Sequence, residues 1–363
     1  MIRSTKYSLK FMTSKKKDLL NSLFIIYSFY LQKTIDLMWN KKIPIKKNLS
    51  SKDIDWMNDL GGQYKQLIYK QASEIVRSCK FKKGKKSKPE IKNLTINLDE
   101  RMIEVQESKN SFDKWVILKL PFIKEDKKRE RIEILIPIKE HKHSLKFKDW
   151  IMLSTIKISK TYVSLIFQKE KLDIKQKGEM VGLDSGYKNL LVSSNGQFIG
   201  SEINSIYNKI ARKTRGSKAF DRALKERDNK IGKIINKELN LDNIKEIKVE
   251  NLKNLKKGIK GKFRKEFNNK YQYWTYRQVL EKLERTCEGN RVLFTKVNPA
   301  YTSRTCPKCH CVDKKNRVGE KFLCIQCGYK NHSDVVGAIN ISRQEPIVPV
   351  TFNGFNGQCN NCL

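Results

Sequence analysis

The spacing of apolar residues changes along the chain and divides it into regions of different secondary structure. Apolar positions recur at helical intervals in two stretches, which predicts helices near 15–39 and 51–79 with a break at Pro44. Residues 1–11 alternate weakly and predict one strand. Between 92 and 168, short runs rich in Ile, Val and Leu often alternate with polar residues. This part is therefore predicted to be a small β-barrel or sandwich, with the helices as an insertion.

A mixed pattern follows, and it places two acidic residues at the ends of predicted strands. The apolar run 180–183 ends on Asp184, and the run 244–249 ends on Glu250. Asn195–Gly196 predicts a hairpin turn, because both residues tolerate a positive φ. A carboxylate at the end of a buried strand has a restricted direction and can be aimed at a metal ion. An aspartate that merely opens a turn is the alternative.

Helical spacing returns in the same region. Residues 203–239 predict helix with an interruption at Gly216–Ser217, and residues 267–287 predict an aromatic-rich helix. A short apolar helix is predicted at 335–341. The Lys-rich run 253–265 predicts a basic loop that could act as a lid. Strands and helices that alternate in this way favour an α/β core for the second half of the chain.

The charge of the chain limits the class of partner. Its 363 residues include 76 Lys and Arg against 38 Asp and Glu, a net charge of +38. Such self-repulsion is tolerated when a polyanion is the working partner, and nucleic acid is the usual one. No apolar run is long enough to span a bilayer, and the basic and apolar residues 15–31 lack the cleavage site of a signal peptide. We therefore expect a cytoplasmic protein with no membrane partner.

Four cysteines form the strongest local signal in the sequence. Two CxxC pairs are separated by 14 residues, and each pair places two thiolates on one tight turn. The predicted zinc ligands are Cys306, Cys309, Cys324 and Cys327. Four thiolates close a tetrahedral zinc shell and leave no open position, so this zinc would be structural. Cys359 and Cys362 form a further pair, in a C-terminal tail that is predicted to be flexible.

Three carboxylates on separate elements form a second candidate site. Asp184 and Glu250 end predicted strands, and Asp334 opens the helix at 335–341. Magnesium takes hard oxygen ligands, and two ions about 3.5–4 Å apart can activate water and stabilise the leaving oxygen in phosphodiester cleavage. Because the chain has 38 acidic residues, three carboxylates alone would be unremarkable. The prediction therefore depends on their local sequences.

Those local sequences resemble TnpB proteins, which are insertion-sequence-encoded RNA-guided nucleases related to the compact type V CRISPR effectors. The matching segments are VGLDSGYKNL around Asp184, IKVENL around Glu250, TSRTCPKC and CIQCG in the cysteine region, and HSDVVGAINI around Asp334. They occur in the family's order. The resemblance covers the C-terminal half residue by residue and the N-terminal half only in layout. It departs from the family at His332 and Val336, where many relatives have an acidic residue and an asparagine.

The resemblance implies a fold and a division into domains. The fold is an α+β multidomain one: a wedge-like N-terminal β-barrel with a helical recognition insertion, then an RNase H-like α/β (RuvC) domain with an inserted zinc ribbon. The expected boundaries are 1–13 and 89–178 for the barrel, 14–88 for the insertion, 179–302 and 331–345 for the nuclease domain, 303–330 for the ribbon and 346–363 for the tail. The oligomeric state is left open.

The resemblance also implies a function. Asp184, Glu250 and Asp334 would be the catalytic residues of one RuvC-like site, with two Mg²⁺ ions, structural Zn²⁺ and a guide RNA as cofactors. The protein would cut double-stranded target DNA after guide pairing and recognition of a short adjacent motif, and it would be nucleoid-associated when bound to DNA. Two other classes stay open. One is a nuclease-inactive RNA-guided repressor, which should have lost one of the three acids, and the other is a zinc-ribbon RNA-binding protein.

Overall fold

Two compact units make up the chain in the computed structural model, Met1–Glu170 and Lys171–Leu363. Each unit has a hydrophobic core of its own. The structure describes residues 1–45, 56–57, 60–81, 87–108, 111–120, 132–170, 172–252 and 273–347. The predicted basic loop at 253–265 and the cysteine pair Cys359 and Cys362 lie outside these residues.

The first unit contains two packed helices, α1 (Ser14–Trp39) and α2 (Gly62–Lys80). Large apolar side chains are buried on both, and the hydroxyl of the buried Tyr27 on α1 donates to Oε1 of Gln71 on α2 at 2.8 Å. Helix α1 matches the prediction.

The second helix of this unit begins later than the sequence pattern indicates. The prediction placed it at 51–79, but α2 begins at Gly62, and Gly61 is its N-cap with an extended backbone. Consecutive glycines disfavour helix because each loses more backbone entropy than any other residue. Residues 46–55, where the predicted helix starts, lie outside the part of the chain that the structure describes.

Seven strands in the first unit form two antiparallel sheets. They are β1 (Ile2–Ser8), β2 (Ile96–Leu98), β3 (Ile103–Glu107), β4 (Lys114–Lys119), β5 (Glu133–Ile138), β6 (Ile151–Ile158) and β7 (Tyr162–Gln168). One sheet has the order β1-β7-β6-β2 and the other the order β3-β4-β5. Because β1 pairs with β7 along its whole length, the two helices are inserted between strands of one sheet. The closed barrel stays a prediction.

A mixed sheet organises the second unit. Its strands are β8 (Glu179–Asp184), β9 (Leu191–Ser193), β10 (Phe198–Ile199), β11 (Ile244–Glu250) and β12 (Leu293–Val297), in the order β10-β9-β8-β11-β12. Strands β8, β11 and β12 are parallel, and β9 runs antiparallel to β8. The predicted turn at Asn195–Gly196 connects β9 to β10, and Gly196 takes a φ of +82° there.

Four helices accompany this sheet: α3 (Ile203–Ala211), α4 (Lys218–Glu238), α5 (Tyr276–Gly289) and α6 (Ser333–Arg343). The interruption predicted between α3 and α4 is confirmed, and the hydroxyl of Ser217 caps α4 by accepting from the N–H of Phe220 at 3.1 Å. Helix α5 begins at Tyr276, and the predicted start at 267 lies outside the described residues. Tyr273 and Trp274 precede the helix and are buried in the core.

A small three-stranded sheet precedes α6 directly. Its antiparallel strands are β13 (Arg317–Val318), β14 (Lys321–Leu323) and β15 (Lys330–His332). The chain therefore passes from the cysteine region into α6 without a linker.

Candidate active site

The carboxyl ends of two neighbouring parallel strands hold two of the predicted site residues. Leu183 on β8 pairs with Val249 on β11, so Asp184 and Glu250 are the next residues on adjacent strands. Adjacent strands lie about 4.8 Å apart, which places the two carboxylates at one edge of the sheet. Asp184 is also paired with Val192 on β9, and this fixes its backbone from the other side.

Helix α6 brings the third carboxylate to the same strand, because glycines let helix and strand approach closely. A Cβ atom on Gly182 would lie only 2.1 Å from the carbonyl oxygen of Ala338, and one on Gly337 would lie 3.0 Å from Oδ2 of Asp184. The first turn of α6, which carries Asp334, is therefore pressed against the end of β8. A glycine within a strand pattern is the sequence signal for such an approach.

Burial and mutual repulsion perturb these carboxylates. Burial, followed by the charges of Glu250 and Asp334, raises the pKa of Asp184 to about 8, although the charge of Arg317 opposes the shift. Burial also raises the pKa of Glu250, against a hydrogen bond from Thr302 and the charge of Arg317. The three acids thus share one electrostatic environment. The structure brings the predicted residues together, and their catalytic role stays a prediction.

Two further side chains contact the carboxylates. Arg317 is the first residue of β13, and its Nη2 lies 3.2 Å from Oδ1 of Asp334. The hydroxyl of Thr302 donates to Oε1 of Glu250, and Nδ2 of Asn340 holds the Thr302 carbonyl at 2.7 Å. Sequence reasoning missed both, because one arginine among 76 cations carries no pattern and a threonine in a connecting segment carries none either.

Carboxylate oxygens are the ligands that Mg²⁺ prefers, so the chemistry of the three acids fits a magnesium site. Within the described residues, the group of His, Cys, Asp or Glu that could hold a single metal ion consists of cysteines, whose ligand atoms all lie within 4.8 Å of one another.

The four predicted cysteine ligands converge in the region before α6. Sγ of Cys306 lies 3.6 Å from Sγ of Cys327, and Sγ of Cys309 lies 3.5 Å from Sγ of Cys324. A zinc–sulfur distance of about 2.3 Å gives sulfur separations of about 3.8 Å in a tetrahedron. The four thiols therefore fit a tetrahedral metal such as zinc.

The two CxxC turns have the same backbone geometry. The N–H of His310 donates to the carbonyl of Cys306 at 2.9 Å, and the N–H of Gly328 donates to that of Cys324 at 3.0 Å. Both residues take a positive φ, +61° for His310 and +69° for Gly328. In addition, the N–H of Lys308 points at the Cys306 sulfur at 3.4 Å, as expected for a turn that stabilises a thiolate.

The two positions that depart from the family pattern have structural roles. Nδ1 of His332 accepts from the N–H of Asp334 at 3.2 Å, so this histidine caps α6. Val336 is fully buried and packs with the cysteines and Phe322 in the small core of the cysteine region. Both side chains stabilise the start of α6, and neither offers a carboxylate to the site.

Comparison with known proteins points to one group. The family model for the Cas12f1-like TNB domain matches residues 276–341. The CRISPR-associated endodeoxyribonuclease Cas12f1 of Sulfoacidibacillus thermotolerans is 36% identical over 72 residues, which cover 20% of this chain and 17% of that protein. The cryo-EM structure of a Cas12f1–sgRNA–target DNA complex matches with a TM-score of 0.55 at 16% identity, over 90% of this chain and 81% of that one. The chain resembles the compact type V effectors.

These matches cover different shares of the two chains. The sequence match to Cas12f1 spans about a sixth of that protein's length. The structural match extends over both units and agrees in fold. CasPhi-2 bound to crRNA also matches, with a TM-score of 0.35 and 11% identity over 53% of this chain and 55% of that one, which is too low to bear on the fold. The resemblance indicated by the motifs is confirmed, with Cas12f1 as the named relative.

None of the described helices has both the length and the apolar character that crossing a bilayer requires.

Proposed function

We propose that this protein is an RNA-guided DNA endonuclease with a single RuvC-like, Mg²⁺-dependent site. The observation that carries the proposal is the convergence of Asp184, Glu250 and Asp334 from two strand ends and a helix start, with the charges of the other two raising the pKa of Asp184. The naming of its relative Cas12f1 as an endodeoxyribonuclease supports the same reaction.

The carboxylates are assigned as the ligands of two Mg²⁺ ions. Bound Mg²⁺ would supply Lewis acidity and an activated water for phosphodiester hydrolysis. Thr302 orients Glu250 through its hydroxyl, and β8 and β9 hold Asp184 in place. Arg317 offsets part of the negative charge of the carboxylates. Once Mg²⁺ ions neutralise the carboxylates, Arg317 would be free to contact a phosphate.

The cysteine cluster is assigned as a structural zinc site. Four thiolates leave no open position for substrate, so the metal would hold the ribbon and not take part in hydrolysis. Because β15 runs directly into α6, the ribbon would also fix Arg317 and Asp334 relative to each other.

Guide RNA and double-stranded target DNA are the proposed partners. The solved relative is a complex with sgRNA and target DNA, and a net charge of +38 suits a protein that must neutralise several nucleic-acid strands. Specificity would come from guide pairing, while the first unit would hold the RNA and read a short motif beside the target. We assign residues 1–13 and 89–178 as the wedge-like domain and 179–302 with 331–345 as the nuclease domain.

A plasmid-cleavage assay tests the function. The full chain purified with its co-expressed RNA should cut plasmids carrying a sequence complementary to that RNA, with Mg²⁺ present and not without it. Asp184→Asn should bind the same RNA and cut nothing. Target binding without cleavage by the wild type would favour the nuclease-inactive repressor. RNA binding without any effect of the complementary target would favour the zinc-ribbon RNA-binding protein.

A further inference from the structure

The hairpin formed by α3 and α4 ends in exposed cations that the proposed catalytic site does not use. Six Lys and Arg side chains within residues 212–225 are exposed, and Asp221 is the one acidic residue in that stretch. The six are Arg212, Lys213, Arg215, Lys218, Arg222 and Lys225. We call this group the basic tip.

The flanks of the same hairpin carry ion pairs, whereas three lysines of the tip have none among the described residues. Nζ of Lys209 lies 2.6 Å from Oε2 of Glu226, and Nζ of Lys230 lies 3.1 Å from Oε1 of Glu202. Among the residues that the structure describes, Lys218 of the tip has no acidic partner of this kind, and the same holds for Lys213 and Lys225. Within the described part of the chain, the hairpin therefore pairs cations where α3 and α4 face each other and leaves these three lysines without an ion pair at its end.

The arrangement of the tip is regular. Lys218, Arg222 and Lys225 are spaced by four and three residues along α4, so they lie on one face of the helix. At 1.5 Å per residue they span about 10 Å, which corresponds to about three phosphates at about 3.4 Å of helix axis each. Helix stability does not explain this charge, because the dipole disfavours a cation such as Lys218 in the first turn.

We propose that the basic tip binds the sugar–phosphate backbone of nucleic acid. This inference rests on the proposed function and adds to it a surface of the second unit that holds the strand. Binding by Lys and Arg to phosphates is independent of sequence, which is what a guide-directed protein requires of such a surface. The guide RNA, the target DNA and their hybrid offer the same phosphate chemistry, and the experiment below separates them.

The test compares two double variants of the full chain that lose the same charge from the same hairpin. Lys218→Ala/Lys225→Ala removes tip cations, and Lys209→Ala/Lys230→Ala removes acid-paired cations. Alanine favours helix at all four positions. Fluorescence anisotropy then measures Kd between 50 and 200 mM KCl for three 24-nucleotide probes of one sequence: double-stranded RNA, double-stranded DNA and an RNA–DNA hybrid. Circular dichroism checks that both variants are folded.

The tip variant should lower the slope of log Kd against log [KCl] by about 2, or about 1 per lysine, and weaken binding about tenfold at 100 mM KCl. The control variant should leave the slope within half a unit of the wild type. The probe whose affinity falls most in the tip variant identifies the nucleic acid that the basic tip binds. If the tip variant does not fold, Lys213→Gln in the α3–α4 connection provides the same test outside a helix, with an expected slope change of about 1.

Equal slopes for the tip and control variants would overturn the inference, since net charge alone would then explain the binding. An unchanged slope for the tip variant would overturn it too. In these cases the cleavage assay with Asp184→Asn still decides the proposed function separately. A wild-type chain that binds none of the three probes would overturn both proposals.

Discussion

The cysteine cluster and the carboxylate trio are both groups of negatively charged ligands in the second unit, and they are assembled in opposite ways. The cysteines lie between residues 306 and 327, and their sulfur atoms all fall within 4.8 Å of one another. The carboxylates lie between residues 184 and 334 and come from two strand ends and one helix. Local turns build the first site, and tertiary packing builds the second.

The two sites also differ in how they exist without a metal. A proton on Asp184 and the pairing of Arg317 with Asp334 offset the charge of the trio, and the mixed sheet holds its residues in place. The cysteine region has a core of only four buried residues, two of which are the ligands Cys306 and Cys324. A core this small does not fold by itself, so the proposed zinc would be part of its structure. The proposed zinc would therefore stabilise a fold, whereas the proposed magnesium ions would bind to a site that is already folded.

Loss of a cysteine ligand should have the largest effect. Cys324→Ser should remove most of the zinc-binding free energy, which is about 10 kcal/mol or more for structural sites, and unfold the ribbon while the mixed sheet persists. Zinc content and hydrogen exchange of β13–β15 measure this. Cys79→Ser, in the first unit, is the control and should keep its zinc. A Cys324→Ser protein with full zinc and a protected ribbon would contradict the assignment.

Neutralising the buried aspartate should abolish cleavage yet stabilise the metal-free protein. The pKa of Asp184 is raised from its ordinary value of 3.8 to about 8, so its stabilising contribution is complete below about pH 4 and is lost as the pH rises to 8. Between pH 5 and pH 8 this amounts to at most about 4 kcal/mol, at about 1.4 kcal/mol per pKa unit. Asp184→Asn should remove that pH dependence.

Urea unfolding of zinc-loaded, magnesium-free protein at pH 5 and pH 8.5 measures the effect. The wild type should lose stability across this interval, and Asp184→Asn should lose much less. Asp221→Asn, at an exposed position, is the control and should follow the wild type. Parallel pH profiles for the wild type and Asp184→Asn would show that the pKa of Asp184 is not raised in the folded protein.

Removal of the Arg317 charge should increase the affinity of the carboxylate site for divalent metal ions. Arg317 contacts Asp334 and repels an incoming divalent ion, so Arg317→Gln should lower the Kd for Mn²⁺ about tenfold at pH 9, where the carboxylates are ionised. At pH 7 the gain should shrink, because the same substitution lets Asp184 hold its proton more tightly.

Isothermal titration calorimetry and Mn²⁺ spin resonance report this binding without any cleavage. Lys188→Gln removes a cation from the exposed pair with Glu320 and serves as the control. It should leave the Kd for Mn²⁺ unchanged. Equal effects of the two substitutions would mean that overall charge governs affinity.

The smallest expected effect comes from substitutions at the positive-φ position of each CxxC turn. His310 and Gly328 occupy matching positions with positive φ, but only glycine adopts this conformation without steric cost. His310→Gly should stabilise zinc binding by about 0.5–1 kcal/mol and Gly328→Ala should weaken it by about 1 kcal/mol. Because open space surrounds the Gly328 Cα, the second effect is one of backbone strain alone. Competition with a chromophoric chelator should give Kd changes of about three- to fivefold in opposite directions.

The sequence predicted most clearly the features that depend on short-range geometry. The CxxC turns, the Asn195–Gly196 hairpin and the break before Ser217 follow from residues a few positions apart, and all three are present. The start of α2 was wrong, because paired glycines overrode the apolar spacing. Tyr273 and Trp274 fall within the helix predicted at 267–287, but they precede α5 and are buried in the core.

By itself, the sequence predicted the residues proposed to carry the chemistry, and it determined the spacing of the CxxC pairs and the class of partner implied by a charge of +38. Tertiary structure alone decided that Asp184, Glu250 and Asp334 meet, and that Arg317 and Thr302 join them. The physical reason is the close contact of α6 with β8, which requires glycine at Gly182 and leaves little room for a side chain at Gly337. A contact between elements so distant in the chain leaves no periodic pattern, whereas a turn records its geometry in neighbouring residues.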